Sequence, residues 1–194
     1  MLEKQNLLGL PQDKLKKFFS DLSEKPFRTK QIMQWIYHQG ATSFGDMHNF
    51  SKDLRQNLQA IASIDFPEVV SINHAKDGVI KWVIKLGEEN HIETVYIPQK
   101  DRGTLCISSQ VGCALACTFC STGYQGFNRN LKAHEIISQV LIAQTHLKAK
   151  NKRISNVVFM GMGEPLLNES AVYDACDLLL DDWAFGLSRR KVTV

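Results

Sequence analysis

The stretch Cys113-Ala-Leu-Ala-Cys117-Thr-Phe-Cys120 decides how the rest of the sequence is interpreted. Its three cysteines are spaced C-x3-C-x2-C, so their thiolates are close enough to converge on one metal centre. A four-iron iron–sulfur cluster normally takes four thiolates, and three would leave one iron open. An open coordination position is what a catalytic metal site needs, as in zinc enzymes, and we expect a second cofactor to fill it. A zinc site of three cysteines and water, or three unligated thiols, are the alternatives that the spacing leaves open.

Composition and charge are those of an ordinary globular protein. Of the 194 residues, 44% are hydrophobic and 22% are charged, and the net charge of +3 permits a nucleic-acid partner without requiring one. Five cysteines, three of them clustered, favour a reducing compartment and metal chemistry over a disulfide scaffold. No apolar run reaches membrane-spanning length and no apolar segment lies near the start, so we expect a cytoplasmic protein without a membrane partner.

The first 65 residues predict a small helical domain. Apolar residues recur at helical spacing over residues 10–22, residues 29–38 and the stretch that follows Ser51. Thr29 and Ser51 are candidate N-caps of the second and third helices, and the second helix ends near Gly40. Lysines and arginines line the polar faces, which fits a solvated surface and an RNA-contacting face equally well.

Residues 66–98 predict an antiparallel strand segment, because apolar residues alternate with polar ones from Pro67 onward. Strands are expected over residues 69–72, 79–84 and 91–97. The dipeptide Asp77-Gly78 between the first two is a strong hairpin signal. The polar residues that follow Pro98 are a candidate domain boundary.

Residues 99–194 predict an α/β core. A strand at 104–109 leads into the cysteine loop, a helix covers residues 131–148, and the apolar run 156–160 is typical of a parallel strand buried on both faces. A helix at 169–180 and a strand at 191–194 complete the pattern. Alternating strands and helices indicate right-handed βα units, with the active site at the carboxyl ends of the strands.

The loop Gly161-Met-Gly-Glu-Pro165 follows the second of these core strands, and its glycines let a ligand approach the backbone. Together with the C-x3-C-x2-C spacing, it resembles the radical S-adenosylmethionine (SAM) enzymes, although Met162 replaces the second glycine of their usual Gly-Gly-Glu-Pro motif. The resemblance implies the first βα units of a partial (βα) barrel. It also implies one [4Fe-4S] cluster whose open iron binds SAM, and an electron that splits SAM into a 5'-deoxyadenosyl radical.

Mapped onto this sequence, the resemblance assigns the cluster ligands and two SAM contacts. The ligands are Cys113, Cys117 and Cys120, and the SAM contacts are Gly163 and Glu164. Phe119 lies between the last two cysteines, and we expect its ring to shield the cluster from water.

Three further stretches are similar to the RlmN/Cfr family of RNA adenine methyltransferases. They are Phe27-Arg-Thr-Lys-Gln-Ile, His91-Ile-Glu-Thr-Val-Tyr-Ile-Pro98 and Arg102-Gly-Thr-Leu-Cys-Ile-Ser-Ser-Gln-Val-Gly-Cys113. The resemblance covers residues 7–194 and matches the N-terminal half of such an enzyme. It implies methylation of C2 of adenosine in 23S rRNA and in tRNA beside the anticodon, through a methyl-cysteine intermediate. Methylation at C8, as in the Cfr branch, is the alternative. An electron donor such as flavodoxin and a monomeric full-length protein are also implied.

The resemblance assigns roles to two more residues. Glu93 matches the family's proton acceptor, and Cys106 matches a cysteine that releases the product through a transient disulfide. Glu93 alternates with Val95 and Ile97, so we expect it on a mostly apolar strand face where burial raises its pKa. A solvated carboxylate and a small buried thiol are the alternatives. Cys176 shares a helix face with apolar residues and is expected in the core.

The methyl-carrying cysteine of this family lies downstream of the matched segment, and no residue here takes its role. We therefore expect the 194 residues to be a truncated form, a fragment or half of a split protein, inactive in methyl transfer when alone. Two other classes stay open: a zinc-stabilised RNA-binding module, and a radical SAM activase that acts on a protein. Iron and sulfide content distinguishes the first, and SAM cleavage with and without RNA distinguishes the second.

Overall fold

The computed structural model describes residues 4–194, and the first part of the chain folds as a helical unit. Its helices are α1 (Gln12–Asp21), α2 (Phe27–Met33) and α3 (Lys52–Ile61). Two short strands, β1 (Gln5–Asn6) and β2 (Ala62–Ser63), pair in parallel and bring the two ends of the unit together. The three helices lie where the apolar periodicity predicts them.

The starts of these helices agree with the sequence at one predicted cap and differ at another. Ser51 caps α3, because its Oγ accepts a hydrogen bond from the Leu54 N–H at 3.2 Å. Thr29 does not cap α2 but lies buried inside it, and its hydroxyl has no hydrogen-bond partner in the described part of the chain. The helix begins earlier because Pro26 already has helical backbone angles, which a proline ring favours.

The rest of the chain is built mainly on one six-stranded sheet. The remaining strands are β3 (Glu68–His74), β4 (Ile80–Leu86), β5 (Asn90–Gln99), β6 (Arg102–Cys106), β7 (Gln110–Gly112), β8 (Phe127–Asn130), β9 (Asn156–Val158) and β10 (Val192–Thr193). The large sheet has the order β10-β9-β6-β5-β4-β3, and β7 and β8 form a separate pair. Strands β3 to β6 are antiparallel, whereas β6, β9 and β10 are parallel.

The sheet runs without a break through the candidate boundary near residue 98. Strands β5 and β6 form a hairpin in which Pro98 pairs with Gly103 and Gln99 pairs with Arg102. The antiparallel segment and the α/β core therefore share one hydrogen-bonded sheet. The division into residues 1–65, 66–98 and 99–194 stays a prediction.

Three more helices complete the core: α4 (Ser121–Tyr124), α5 (Ala133–Lys148) and α6 (Glu169–Leu180). The chain passes from β6 through α5 to β9, and from β9 through α6 to β10, and both strand pairs are parallel. These are the βα units that the sequence predicts. No helix in residues 4–194 is long and apolar enough to cross a membrane.

Residues 4–194 cover only one face of the large sheet. Inward-pointing residues of four neighbouring strands are fully or almost fully buried there, among them Trp82, Ile92, Leu105 and Val157. In their midst the Gln139 side chain of α5 accepts from the Thr94 hydroxyl and from the Ser108 N–H, both at 2.8 Å, and donates to the Ser108 carbonyl at 2.9 Å. The opposite face, which carries the alternate residues of each strand, is open.

The helical unit packs against the start of α5. A Cβ at Gly9 would lie 2.1 Å from the backbone nitrogen of His134, so only glycine permits this approach. The hydroxyl of Tyr37 donates to the Leu8 carbonyl at 2.6 Å, and both residues are buried. Burial raises the pKa of the Tyr37 phenol well above its ordinary value, with Asp181 adding to the effect.

Candidate functional site

The cysteine loop is closed at its base by the pairing of β7 with β8. The Cys113 N–H donates to the Gly126 carbonyl at 3.0 Å, which joins the two ends of the loop. Gly112 has a φ of +73°, and a Cβ there would lie 1.8 Å from the same carbonyl oxygen. This close approach requires glycine, so the sequence before the first cysteine fixes where the loop begins.

Inside the loop, backbone hydrogen bonds bring the last two cysteines onto consecutive turns. The Cys120 N–H donates to the Cys117 carbonyl, and the Gly123 N–H donates to the Cys120 carbonyl, both at 3.0 Å. The Cys120 sulfur also accepts hydrogen bonds from the backbone of Gly123 and Thr122, which lower the pKa of this thiol. A thiol with a lowered pKa loses its proton readily, as a metal ligand must.

The three cysteines are half-buried free thiols in one loop, but they are not drawn together as a ligand set. Within residues 4–194, no group of three or more histidine, cysteine, aspartate or glutamate side chains is gathered closely enough to hold a metal ion. The donor set itself, three thiolates on one exposed loop, is the chemistry that an iron–sulfur cluster takes. Phe119 is 91% exposed, with its ring projecting from the loop into solvent, and the expected shielding of a cluster by this ring stays a prediction.

The loop Gly161-Met-Gly-Glu-Pro165 packs against the segment that leads into the cysteine loop. The Met162 N–H donates to Ser108 Oγ at 2.9 Å, and the Met162 carbonyl accepts from the Ser109 N–H at 2.9 Å. A Cβ at Gly161 would lie 2.7 Å from the Ile107 carbonyl oxygen. These glycines let residues 107–110 approach the loop closely, and the expected approach of a ligand stays a prediction.

Gln110 joins the two loops and was missed by the sequence analysis. Its Oε1 accepts from the Glu164 N–H at 2.9 Å, and its Nε2 donates to Asn130 Oδ1 at 2.8 Å. Gly163, with a φ of +96°, sits directly on it, since a Cβ there would lie 2.4 Å from the Gln110 Cβ. The signal available in the sequence was the polar run Ser108-Ser-Gln110 immediately after an apolar strand, where buried polar side chains need partners.

A bidentate ion pair attaches the end of the cysteine loop to α5. The two terminal nitrogens of the Arg129 guanidinium, Nη1 and Nη2, each lie 2.7 Å from an oxygen of the Glu135 carboxylate. This carboxylate also accepts a hydrogen bond from the Lys132 N–H at 2.8 Å. Burial alone would raise the pKa of Glu135, but hydrogen bonds from Arg129 and Lys132 outweigh it and lower that pKa. The same pairing raises the pKa of Arg129, so both groups stay charged.

Glu93 and Cys106 lie on the open face of the sheet, on neighbouring strands. Cys106 pairs with Val95, two residues from Glu93, and Ser108 Oγ donates to the Glu93 carbonyl at 2.7 Å. The Glu93 side chain is 47% exposed and its Oε1 lies 2.8 Å from Lys81 Nζ. The predicted apolar burial of Glu93 is therefore wrong.

Glu93 is exposed because the alternation of residues along β5 defines two faces of the sheet but does not indicate which face α5 covers. Ile92, Thr94 and Tyr96 take the face beneath α5, where they are buried. Glu93, Val95 and Ile97 consequently share the open face.

The remaining thiols differ in environment. Burial raises the pKa of Cys106, and a hydrogen bond from the Met160 backbone opposes this effect. Burial also raises the pKa of Cys176 to about 11, with Asp177 contributing, and Cys176 packs against the core as predicted. All five cysteines are free, so the transient disulfide of Cys106 stays a prediction.

Comparisons with known proteins agree with this geometry. The family model described as the ribosomal RNA large subunit methyltransferase N-terminal domain matches residues 5–64, and the radical SAM superfamily model matches residues 107–194. The dual-specificity RNA methyltransferase RlmN of Vesicomyosocius okutanii subsp. Calyptogena okutanii (strain HA) is 69% identical over 193 residues, covering 100% of this chain and 54% of that protein. RlmN of Ruthia magnifica subsp. Calyptogena magnifica is 65% identical with the same coverage. The chain thus spans about half the length of these curated relatives.

The solved structure of a radical SAM methyltransferase from Sphaerobacter thermophilus is similar to the whole described architecture. The TM-score is 0.89 at 33% sequence identity, over 98% of this chain and 56% of that one. The sheet with its two crossover helices is therefore part of a radical SAM fold. Family models, curated relatives and structural neighbour together show that the chain matches the N-terminal half of RlmN proteins, an RlmN-type N-terminal domain followed by part of a radical SAM fold.

Proposed function

We propose that these residues serve a radical SAM enzyme that methylates C2 of adenosine in 23S rRNA and in tRNA beside the anticodon. The observation that carries the proposal is the link made by Gln110 between the cysteine loop and the Gly161-Met-Gly-Glu-Pro165 loop. It attaches the base of the cysteine loop to the loop that carries the candidate SAM contacts. Glu93 and Cys106 lie on the open sheet face next to these loops.

The residues present fit the two implied cofactors. Cys113, Cys117 and Cys120 would hold a [4Fe-4S] cluster through their thiolates, and Gly163 and Glu164 would contact SAM. When bound, the pair supplies a carbon-centred oxidant strong enough to take a hydrogen atom from an unactivated methyl group. The protein supplies the placement of these groups and the acid–base chemistry.

Glu93 would accept the proton that leaves the adenine ring as the new carbon–carbon bond is completed. Its carboxylate is half-exposed on the open face of the sheet, so an adenine ring placed on that face can reach it. The ion pair with Lys81 at 2.8 Å orients the carboxylate, since one oxygen is engaged and the other stays available. Lys81 is therefore a positioning residue in this proposal.

Cys106 would release the product by forming a disulfide with the methyl-carrying cysteine. As the new sulfur–sulfur bond forms, the bond between that cysteine's sulfur and the product carbon breaks, its electron pair stays with that carbon, and a proton taken up from solvent completes the new methyl group. Because burial raises the pKa of Cys106, its thiol must first lose a proton. A thiol reductant such as glutathione or thioredoxin would then restore both cysteines.

The remaining features of the proposal concern surroundings and partners. We propose a cytoplasmic setting, where a reducing environment keeps the five cysteines free. An electron donor of the flavodoxin type would reduce the cluster, and the full-length protein would act as a monomer. C8 of adenosine is the alternative position of methylation.

The test starts with anaerobic reconstitution of this chain with iron and sulfide. With SAM and dithionite, the reconstituted protein should produce 5'-deoxyadenosine, and Cys117→Ala should not. Binding of zinc without sulfide, and no cleavage of SAM, would instead favour a zinc-stabilised RNA-binding module. Mass spectrometry of methyladenosine from cells that carry the whole gene then decides between C2 and C8.

A further inference from the structure

Positive charge is concentrated at the end of the large sheet opposite the cysteine loop. Four segments meet this end: the β3–β4 turn (74–78), the β5–β6 turn (99–102), the stretch from the end of α5 toward β9 (148–154), and the residues before β10 (188–191). We call their lysines and arginines the basic rim. They number ten, against two acidic residues in the same segments, whereas the whole chain has 23 against 20. The rest of the chain is therefore net negative.

Direct contacts hold the four segments side by side. The Ser155 N–H donates to the Gly103 carbonyl at 2.8 Å, which joins the residue before β9 to the start of β6, next to the β5–β6 turn. Lys150 Nζ lies 3.4 Å from His74 Nε2, which joins the end of α5 to the end of β3. Strand β10 pairs in parallel with β9, so the segment before it enters at the same end of the sheet. The rim is thus one continuous surface.

The cations of the rim lack the acidic partners that other cations of this chain have. All except the half-buried Lys191 are exposed, and none forms an ion pair within 4.0 Å with a described acidic side chain. On the N-terminal helices, by contrast, Lys16 pairs with Asp13 and Lys17 pairs with Asp21. The rim therefore keeps its charge uncompensated, and a polyanion would supply the missing partners.

The amino-acid composition of the rim indicates that the polyanion it binds is a nucleic acid and not an acidic protein. Stable protein–protein contacts have an apolar centre beneath a polar border. None of the four segments contributes an exposed large hydrophobic residue in the described part of the chain. A phosphate backbone needs only an array of lysines and arginines, and Arg102, Arg153, Arg189 and Arg190 can each engage phosphate with two N–H groups.

We propose that the basic rim binds the phosphate backbone of RNA, at the end of the sheet remote from the catalytic loops. The inference rests on the proposed function in one respect, namely that the substrate is a large RNA. Backbone contacts carry no sequence information, so such a surface adds affinity equally for two different RNA substrates. It would leave the choice of adenosine to the open face and its loops.

The test measures RNA binding by this chain without its cluster, so that it does not depend on methylation. The probes are protein-free 23S rRNA fragments and tRNA, titrated over a range of salt concentrations. The variant Lys76→Gln/Lys100→Gln/Arg153→Gln removes one cation from each of three rim segments. Each lost phosphate contact should lower the slope of log K against log salt by about 0.7–0.9, so the slope should fall by about two to three. Affinity at about 0.1 M salt should fall about tenfold or more.

The matched control is Lys16→Gln/Lys17→Gln/Lys25→Gln, which changes the net charge equally on α1 and the connection to α2. The proposal is overturned if the rim variant loses no more affinity and no more salt slope than this control. Circular dichroism and urea unfolding of both variants check that each is folded.

A second measurement uses only the unaltered chain, in case the rim variant does not fold. Bound RNA should protect Lys76, Lys100 and Lys152 from an amine-reactive label, with Lys25 as the internal reference. Protection by poly-glutamate but not by RNA would overturn the proposal in favour of an acidic protein partner. Since SAM cleavage is measured separately, either proposal can fail while the other stands.

Discussion

The two faces of the large sheet have opposite properties although they are made by alternate residues of the same strands. Beneath α5, Trp82, Ile92 and Leu105 have no exposed surface. On the open face, Ile97 is 40% exposed and the Glu93 side chain 47%. The covered face therefore supplies the stability of the fold, and the open face carries the candidate chemistry at little cost to that stability.

This separation explains why polar residues can be so numerous near the cysteine loop. Gln110 and Gln139 are buried polar side chains whose hydrogen-bonding groups are used by named partners. They rigidify the backbone between the covered face and the loops. The loops themselves can then project reactive side chains into solvent without loosening the sheet.

The largest effect on stability should come from truncating a covered residue. Leu105→Ala should lower the free energy of unfolding by about 2–5 kcal/mol, because it removes fully buried methyl groups and leaves a cavity. Ile97→Ala, on the open face of the neighbouring strand, should cost about 1 kcal/mol or less. Urea unfolding of the two variants measures the difference. Equal losses would mean that the open face contributes as much to stability as the covered one.

The five cysteines should differ strongly in reactivity in the cluster-free chain. At pH 8, iodoacetamide should modify Cys120 first, because backbone hydrogen bonds lower the pKa of its thiol. Cys176, with a pKa of about 11, holds about a hundredfold less thiolate than an ordinary thiol with a pKa of 9. Peptide mass spectrometry over time gives the order. Modification of Cys176 before Cys120 would contradict the environments described here.

Removing the Gln110 link between the two loops should lower the free energy of unfolding by less than truncating a core residue, but by more than removing a surface contact. Gln110→Leu keeps the side-chain size and removes two part-buried hydrogen bonds, so it should cost about 1–3 kcal/mol. It should also weaken SAM binding by the reconstituted protein, whereas Gln144→Leu, an exposed position on α5, should do neither. Unfolding and equilibrium dialysis with SAM provide the two readouts. SAM affinity unchanged in Gln110→Leu would separate this residue from the site.

The smallest effect should be a pH dependence at the attachment of the cysteine loop. The pKa of Glu135 is lowered in the folded chain, so its contribution to stability is present above its ordinary value of 4.5 and is lost as the pH falls through the lowered pKa. The stability difference between the unaltered chain and Glu135→Gln should be about 1–2 kcal/mol at pH 7 and should shrink below pH 4.5. Urea midpoints between pH 3 and pH 7 measure it. A stability difference that grows as the pH falls would contradict the lowered pKa of Glu135.

Much of the fold could be predicted from sequence because it depends on periodicity. The helix at residues 169–180 has the predicted bounds, and the long helix and the strands lie within a few residues of theirs. The π-helical turn Gln34–His38 at the end of α2 was not predicted. Apolar spacing hardly distinguishes one extra residue in a single turn.

The candidate site was predictable only where the residue type itself carries the chemistry. Three cysteines at short spacing predict a metal site without any knowledge of the fold, and that site stays a prediction. The exposure of Glu93 depends on which sheet face α5 covers. The role of Gln110 depends on Glu164 and Asn130, which lie 54 and 20 residues further along the chain. Such partners are fixed by tertiary structure, which a single sequence does not display.

The most direct test of the central claim is the metal content of this chain after anaerobic reconstitution. Three thiolates from Cys113, Cys117 and Cys120 should bind about four irons and four sulfides per chain, with a brown chromophore. Cys117→Ala should lose nearly all of both, and Cys176→Ala, outside the loop, should retain them. Bound zinc without sulfide, or full iron and sulfide in Cys117→Ala, would contradict the assignment of this loop as the cluster site.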